Sequence, residues 1–152
     1  LILRVEGSWP VHPTAMRAGT VRPLGCTAHA LALLAALPDR EIAGVLDATR
    51  ADRAVDYPLF TDAHLLELVE QTRAAGFAYT SGQIIPGTGA FALACLDADG
   101  APVAALSHSA VIERCGLDRA PEIVPLLRRE RDRIERRIRG LADPAAEERA
   151  QD

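Results

Sequence analysis

The apolar patterns along this 152-residue chain predict an α+β domain, in which an antiparallel sheet carries helices mainly on one face. Three observations support this class. A nearly continuous apolar run follows Thr27, which is typical of a buried helix. Two strand patterns flank an Asp-Ala-Asp-Gly turn at residues 97–100, which is typical of a hairpin. Apolar residues near the C-terminus recur at spacings of three, four and seven, which predicts a long amphipathic helix.

The N-terminal half begins with a predicted strand and continues into helices. Residues 1–6 have a strand pattern that ends at Gly7, and residues 8–22 predict irregular chain or a turn into a second short strand. Thr27 caps a helix over residues 28–37. A second, short helix is predicted from Pro38 to about residue 48, and residues 50–57 are polar and predict a loop.

The second half contains one more helix, three strands and the long C-terminal helix. Thr61 caps the third helix, and Gly76 ends it. Residues 1–142 are expected to form one domain and residues 143–152 a disordered tail, and no segment has the pattern of a DNA-binding winged helix. Strands are predicted at residues 77–83, 90–96 and 102–109, and the last helix at residues 120–141.

Charge and cysteine content argue against several function classes. The formal net charge is −4, and in residues 128–152 eight arginines alternate with seven acids, which is typical of a solvated helix rather than a DNA contact. The chain has no run of about 18 uncharged apolar residues, so no membrane span is expected. Three widely spaced cysteines favour a reducing, cytoplasmic location over a disulfide framework.

The reactive side chains do not form a recognisable catalytic or metal motif. Cys26 precedes a helix N-terminus, which lowers the pKa of a thiol, so a cysteine-dependent enzyme is one alternative. However, the sequence shows no obvious trio of nucleophile, base and orienting residue, and no Cys-x-x-Cys pair. We therefore expect no enzymatic activity, no metal and no cofactor.

The stretch VAALSHSA at residues 103–110 ends an apolar strand with three polar side chains. Strand alternation places Ser107 and Ser109 on one face, about 7 Å apart, and Leu106 and His108 on the other. Two hydroxyl groups can bind carboxylate or carbonyl oxygens without adding charge. The serines either floor a small-molecule pocket or bond only to backbone and water. His108 is expected to lie between sheet and helix.

Two segments carry a family resemblance: PLGCTAHALALLAALPD at residues 23–39 and GFAYTSGQIIPGTGAFALACLDADGAPVAALSHS at residues 76–109. They resemble the effector-binding domain of IclR-type bacterial transcription regulators, which has a GAF-like fold. The resemblance covers about residues 1–141 in the right order and spacing. It implies a small-molecule effector, assembly as a homodimer or tetramer, and DNA binding only through a winged helix that is not in this chain.

The resemblance also implies an effector pocket between the sheet and the loops and helix starts above it. A small organic acid would place its carboxylate at the free N–H groups of the helix that Thr27 caps. His29 would then be a neutral donor or acceptor to the ligand, or else a half-exposed surface residue. Thr80 and Gln83 stand where family members often carry acids. The implied lining residues are Ala28, His29, Thr80, Thr88, Ala90, Ser107 and Ser109.

These features predict the sensor domain of a one-component transcription regulator. Binding of a small metabolite is expected to alter the geometry of the oligomer, and so the spacing of DNA-binding heads. One alternative is an oligomerisation module that binds no ligand. A GAF-like cysteine-dependent enzyme is the less favoured alternative.

Overall fold

A three-stranded antiparallel sheet with helices on both sides forms the described part of the chain, residues 2–7 and 18–140 of a computed structural model. The predicted α+β class is confirmed. The predicted tail at residues 143–152 lies outside the described residues. In chain order the elements are α1 (Ala28–Ala36), α2 (Asp39–Asp56), α3 (Asp62–Ala75), β1 (Ala78–Ser81), β2 (Thr88–Leu96), β3 (Pro102–Val111), a short 3-10 helix (Leu117–Arg119) and α4 (Ala120–Ile138).

The sheet has the order β1-β2-β3, and both of its pairings are antiparallel. The hairpin between β2 and β3 is confirmed. The Asp97 carboxylate accepts hydrogen bonds from the backbone N–H groups of Asp99 and Ala101 at 3.0 and 2.9 Å. An Asp side chain that bonds the backbone two residues ahead stabilises a turn. β1 is shorter than predicted, because residues 82–87 form a loop.

α1 is a buried helix because its sequence is almost wholly apolar. The Thr27 hydroxyl accepts a hydrogen bond from the Ala30 N–H at 3.3 Å, which caps the helix as predicted. Small residues such as Ala28 and Ala32 pack in the core and let the helix approach the sheet closely. α1 contacts β2 and β3 on one side and α3 on the other. Residues of α2 and α3 complete the same core cluster.

The opposite face of the sheet carries α4, so the helices lie mainly, but not wholly, on one face. Phe91 of β2 packs there with Val124 and Leu127 of α4. Phe77 and Tyr79 add rings whose centroids are 5.7 and 4.8 Å from that of Phe91. Tilted aromatic pairs at these distances contribute beyond the area they bury. This second cluster fills the space between the sheet and α4.

α2 is longer than predicted, because residues 50–56, expected in a loop, continue the helix. The reason is Arg53, which is only 2% exposed although it is charged. Its guanidinium donates to the carbonyl oxygens of Leu46 and Phe60, to a threonine hydroxyl one turn earlier, and to the Asp62 carboxylate. A buried charge is tolerated when it is paired and fully hydrogen-bonded. The polar sequence therefore belongs to a helix that one buried arginine anchors.

The first predicted strands are absent from the described residues. Residues 2–7 and 18–22 have no strand pairing. Ile2, Val5 and Val21 are 91, 85 and 91% exposed. An apolar alternation forms a strand only where a neighbouring strand or a core buries one of its faces. The predicted strand at residues 1–6 was wrong for residues 2–6, whereas the irregular chain at residues 18–22 agrees with one of the two alternatives for that segment.

The three cysteines are free and buried. Cys26 lies in the core cluster on the α1 side, and Cys115 in the cluster on the α4 side. They behave as small apolar residues of the core. Within residues 2–7 and 18–140, none of the helices is both long and apolar enough to span a bilayer.

Candidate functional site

The two serines share a face, and each belongs to a row of side chains across the sheet. Ser109 lies opposite Ala90 of β2, which in turn lies opposite Thr80 of β1. Ser107 lies opposite Ala92 in the next row. Directly paired residues project from the same face of a sheet. Because Ala92 belongs to the core cluster that α1 fills, both rows lie on the α1 face.

α1 packs along β2, and residues of both elements share one core cluster. A small cleft of about 200 Å³ at the other end of the sheet is lined by Ala35 of α1 and Leu96 of β2, so the helix and the strand end at the same place. α1 and β2 therefore run in the same direction. A helix of nine residues covers only about 13 Å, the length of about four strand residues, which leaves its first turn near Ala92, in the row of Ser107. Ala28 and His29 thus come to the row that ends in a serine.

His29 is half-buried beside the cap of α1. Its Nε2 is 3.1 Å from the Thr27 hydroxyl oxygen. Burial chiefly, together with the positive charge of Arg22, lowers the pKa of His29. At neutral pH the imidazole is therefore neutral, and each of its nitrogens acts either as one donor or as one acceptor.

The other predicted lining residues differ in how open their side chains are. Ser107 and Ser109 are exposed, and within the described residues neither hydroxyl has a hydrogen-bond partner. The Thr88 hydroxyl donates to the carbonyl oxygen of Ile85 at 2.7 Å. Ala28 is only 2% exposed, and its methyl group packs in the core. The serines therefore provide exposed polar groups on this face, and the half-buried Thr80 adds a hydroxyl that also lacks a hydrogen-bond partner in the described residues.

His108 lies on the other face of the sheet. Its partner across the sheet is Phe91, which belongs to the α4 side. The residue is exposed and does not lie between sheet and helix as predicted. It is separated by the sheet from Ser107 and Ser109, so the serines and the histidine do not form one polar cluster.

The environment of Cys26 disfavours the reactive form of its thiol. It is fully buried, and burial raises the pKa of its thiol to about 11, against the weaker opposing effects of Arg53 and Arg22. A thiol with so high a pKa stays protonated at neutral pH, and the thiolate is the reactive form. Across residues 2–7 and 18–140, no group of three His, Cys, Asp or Glu side chains is placed to hold a metal ion.

Two further side chains near α1, Arg22 and Tyr57, were not singled out by the sequence analysis. The Arg22 Nη1 donates to the Tyr57 hydroxyl at 2.6 Å, and the guanidinium carbon lies 5.5 Å from the centre of the tyrosine ring. The Arg22 Nε is buried and has no hydrogen-bond partner in the described part of the chain. The two residues are 35 positions apart, so the sequence offered one signal only, an arginine directly before Pro-Leu.

The small cleft at the far end of the sheet contains none of the predicted site residues. Its rim carries Arg73, Arg131 and Glu135. Arg73 already bonds the carbonyl oxygens at the end of α1 and an aspartate, and Glu135 accepts from the Leu96 N–H at 2.9 Å. The polar groups that line this cleft are therefore already hydrogen-bonded within the chain and contribute to its packing.

Comparison with protein families agrees with the fold. A sequence profile described as "Bacterial transcriptional regulator IclR C-terminal" matches residues 1–136. The resemblance carried by the two sequence segments is thereby confirmed. A search among curated protein sequences gives no match.

Solved structures of transcriptional regulators have the same fold. RHA06195 from Rhodococcus sp. RHA1 superposes with a TM-score of 0.70 at 26% identity, over 81% of this chain and 50% of that chain. The Thermotoga maritima IclR superposes with a TM-score of 0.74 at 24% identity, over 88% of this chain and 54% of that one. A double mutant of the Acinetobacter PobR inducer-binding domain, in complex with 3-hydroxybenzoic acid, gives a TM-score of 0.65 at 21% identity, over 84% and 74%. The chain spans about half the length of the first two proteins.

Proposed function

Because the chain belongs to the IclR family of bacterial transcriptional regulators, where it matches the C-terminal domain, we propose that it is the effector-binding part of such a regulator. It binds a small metabolite between α1 and the sheet and catalyses no reaction. The proposed site consists of the row from Thr80 to Ser109, the neighbouring Ser107, and the first turn of α1 with His29 and Thr88 close to it.

The observation that carries this proposal is a pair of exposed hydroxyl groups on a sheet face lined mostly by small side chains. Ser107 and Ser109 are exposed next to Ala90 and Ala92, whose side chains occupy little volume. Small-molecule sites are concave and mostly apolar, and a few well-placed polar groups orient the ligand in them. An alanine-lined face with two hydroxyls at its rim matches this composition.

The proposed ligand is a small organic acid or a neutral compound with an apolar body. The PobR inducer-binding domain, which shares the fold, is solved with 3-hydroxybenzoic acid. In this chain hydroxyls and the N–H groups at the start of α1 would bind the oxygens of such a ligand, and the half-buried Ala90 would contact its apolar part.

Binding would act on DNA indirectly. We place DNA contact in a winged helix outside these 152 residues, and assembly as a homodimer or tetramer in the cytosol. A ligand shifts the equilibrium between two arrangements of subunits only by the difference in its affinity for them. A metabolite held between α1 and the sheet would favour the arrangement in which those two elements close around it.

The experiment that tests this proposal is native mass spectrometry of the purified protein, followed by denaturation and identification of any released small molecule. We expect one metabolite per chain and a dimer or tetramer mass. An empty oligomer whose melting temperature is unmoved by a panel of organic acids and aromatic compounds would contradict the sensor function.

That second outcome would favour an oligomerisation module without a ligand. One observation supports this candidate, since Ile2, Leu3 and Val5 are 91, 75 and 85% exposed in the N-terminal segment. Apolar side chains clustered in one exposed segment are typical of a contact surface. One domain can both bind a ligand and assemble. The native mass reports the assembly, and the ligand content reports the binding.

A further inference from the structure

Arg22 is a positive charge that the described chain leaves without a carboxylate. The residue is half-buried, and its Nη1 is fixed by the hydrogen bond to Tyr57. Its Nε is buried without a partner, and no ion pair of Arg22 is found among residues 2–7 and 18–140. A buried donor on a cation is costly unless an acceptor, preferably an anion, meets it. One donor of this guanidinium is therefore still to be satisfied.

Arg53 differs from Arg22 in its hydrogen bonding, although the Nε of Arg119 is also buried without a partner in the described part of the chain. Arg53 is more deeply buried, and it donates to two carbonyl oxygens, a hydroxyl and the Asp62 carboxylate. Where the chain itself uses a buried arginine for stability, it provides the acceptors. Around Arg22 it provides one tyrosine hydroxyl.

Arg22 lies in the segment that leads into α1. It directly precedes the turn in which the Cys26 N–H bonds the Pro23 carbonyl oxygen and which leads into α1. Its partner Tyr57 packs against the same core cluster as Ala90. The charge of Arg22 also contributes to the lowered pKa of His29, so its field reaches the first turn of the helix.

The segments that contribute the predicted lining residues contain no acid. Residues 7–38, 71–96 and 100–112 hold every predicted lining residue, and they contain no Asp or Glu. A site with one fixed cation and no anion favours ligands of negative charge. Arginine binds carboxylates well, because its planar fork of N–H groups matches the two carboxylate oxygens.

We infer that Arg22, positioned by Tyr57, is the residue that makes this site select an anionic effector with a carboxylate group over a neutral compound of the same shape. This inference rests on the proposed function, and it adds to it the residue that determines the charge of the ligand. The serine hydroxyls and the apolar lining would accept an acid and its amide equally. The fixed charge of Arg22 distinguishes the two, in addition to the N–H groups at the start of α1, which Arg22→Gln leaves in place.

The test compares two probes of the same shape, 3-hydroxybenzoate and 3-hydroxybenzamide, by isothermal titration calorimetry. The wild-type protein is expected to bind the acid at least tenfold more tightly than the amide. Arg22→Gln should lose at least tenfold for the acid and less than threefold for the amide, and Arg22→Lys should keep most of the preference. Arg40→Gln, at an exposed arginine, is the matched control and should change neither affinity.

Equal affinities of the wild type for acid and amide overturn the inference, and so does a preference that survives in Arg22→Gln. If that variant fails to fold, Tyr57→Phe takes its place, because it removes the hydrogen bond that positions Arg22 and should reduce the preference for the acid; an unchanged preference overturns the inference. If neither probe binds, native mass spectrometry of wild type and Arg22→Gln decides instead. An acid that co-purifies with the wild type and is lost from the variant supports the inference. A neutral metabolite that both proteins keep overturns the inference but not the proposed function. If both proteins are empty, the proposed function is contradicted too.

Discussion

The two faces of the sheet differ in side-chain size: the face towards α4 carries large side chains, and the face towards α1 carries small ones. Towards α4 the strands present Phe91 and Tyr79, whose rings stack against one another and against the helix. Towards α1 the same strands present Ala90, Ala92 and two serines. Successive residues of a strand point to opposite faces, so one sequence encodes both surfaces by alternation.

We call the α4 face, where large aromatic side chains fill the space, the full face. We call the α1 face, which carries small side chains, the lean face. The aromatic cluster occupies the volume between the sheet and α4, and such a layer contributes stability. On the α1 side the alanines allow close contact with the middle of the helix, and the serines beyond it stay open. A ligand needs space that side chains do not take, so function is expected on the lean face and stability on the full one.

The largest expected effect is on the full face. Phe91→Ala removes a side chain that is 0% exposed and leaves a cavity beside Tyr79. It should lower the free energy of unfolding by about 3–5 kcal/mol in denaturant titrations. Ser81→Ala, an exposed position on the same face, is the control and should change it by less than about 0.5 kcal/mol. A loss below about 1 kcal/mol for Phe91→Ala would show that this cluster is not the stabilising layer.

A smaller effect is expected from enlarging the lean face. Ala92→Leu adds three carbon atoms where the sheet meets α1, at a residue that is 0% exposed. Overpacking a close contact should cost about 1–3 kcal/mol of unfolding free energy. Ala98→Leu, in the exposed turn, is the matched control. If Ala92→Leu were neutral or stabilising, the middle of α1 would not be in close contact with the sheet, and the comparison of faces would need revision.

The two exposed serines of the lean face should affect ligand affinity but have little effect on the free energy of unfolding. Replacing Ser107 and Ser109 together with alanine should change the unfolding free energy by less than about 0.5 kcal/mol, because both hydroxyls are exposed. The affinity for the bound metabolite should fall by roughly 5- to 150-fold, since each lost hydrogen bond is worth about 0.5–1.5 kcal/mol. Ser81→Ala serves again as control. Unfolding of the double variant would show that the serines are structural.

The smallest effect concerns the pH dependence of stability at the start of α1. The pKa of His29 is lowered in the folded chain, so the unfolded chain binds more protons between that pKa and about 6.5. The stabilising contribution is complete above about pH 6.5 and is lost as the pH falls towards the folded pKa. His29→Gln should therefore flatten the rise of unfolding free energy with pH, measured between pH 5 and 7.5. If the unfolding free energy rises equally with pH in wild type and variant, His29 does not contribute to the pH dependence of stability.

Local signals in the sequence predicted most of the fold. Thr27 as a cap, Gly76 as a helix end and the Asp97 turn each act through contacts with their own neighbours, and each is found as predicted. The alternation that places Ser107 and Ser109 on one face is equally local. Such features depend on a few consecutive residues, which the sequence displays directly.

Features that depend on distant partners were not predictable in the same way. The last turn of α2 is polar, and only the buried contacts of Arg53 with Phe60 and Asp62 keep it helical. The pairing of Arg22 with Tyr57 joins residues 35 positions apart. The choice of face for α4 depends on which side of β2 carries the aromatic rings, and the stripe on the helix itself does not encode that choice. Tertiary contacts override local propensity in each case.

The buried contacts of Arg53 also set how the helical side of the molecule opens. One guanidinium joins the body of α2 through the Leu46 carbonyl, the connecting loop through Phe60 and the first residue of α3 through Asp62. Separating any of these three parts exposes the buried guanidinium or leaves it without an acceptor. The connecting loop therefore cannot open without α2 and α3. In hydrogen exchange the amides of Tyr57 and Phe60 should therefore exchange together with α2 and α3 as one cooperative unit, although they lie in a connecting segment.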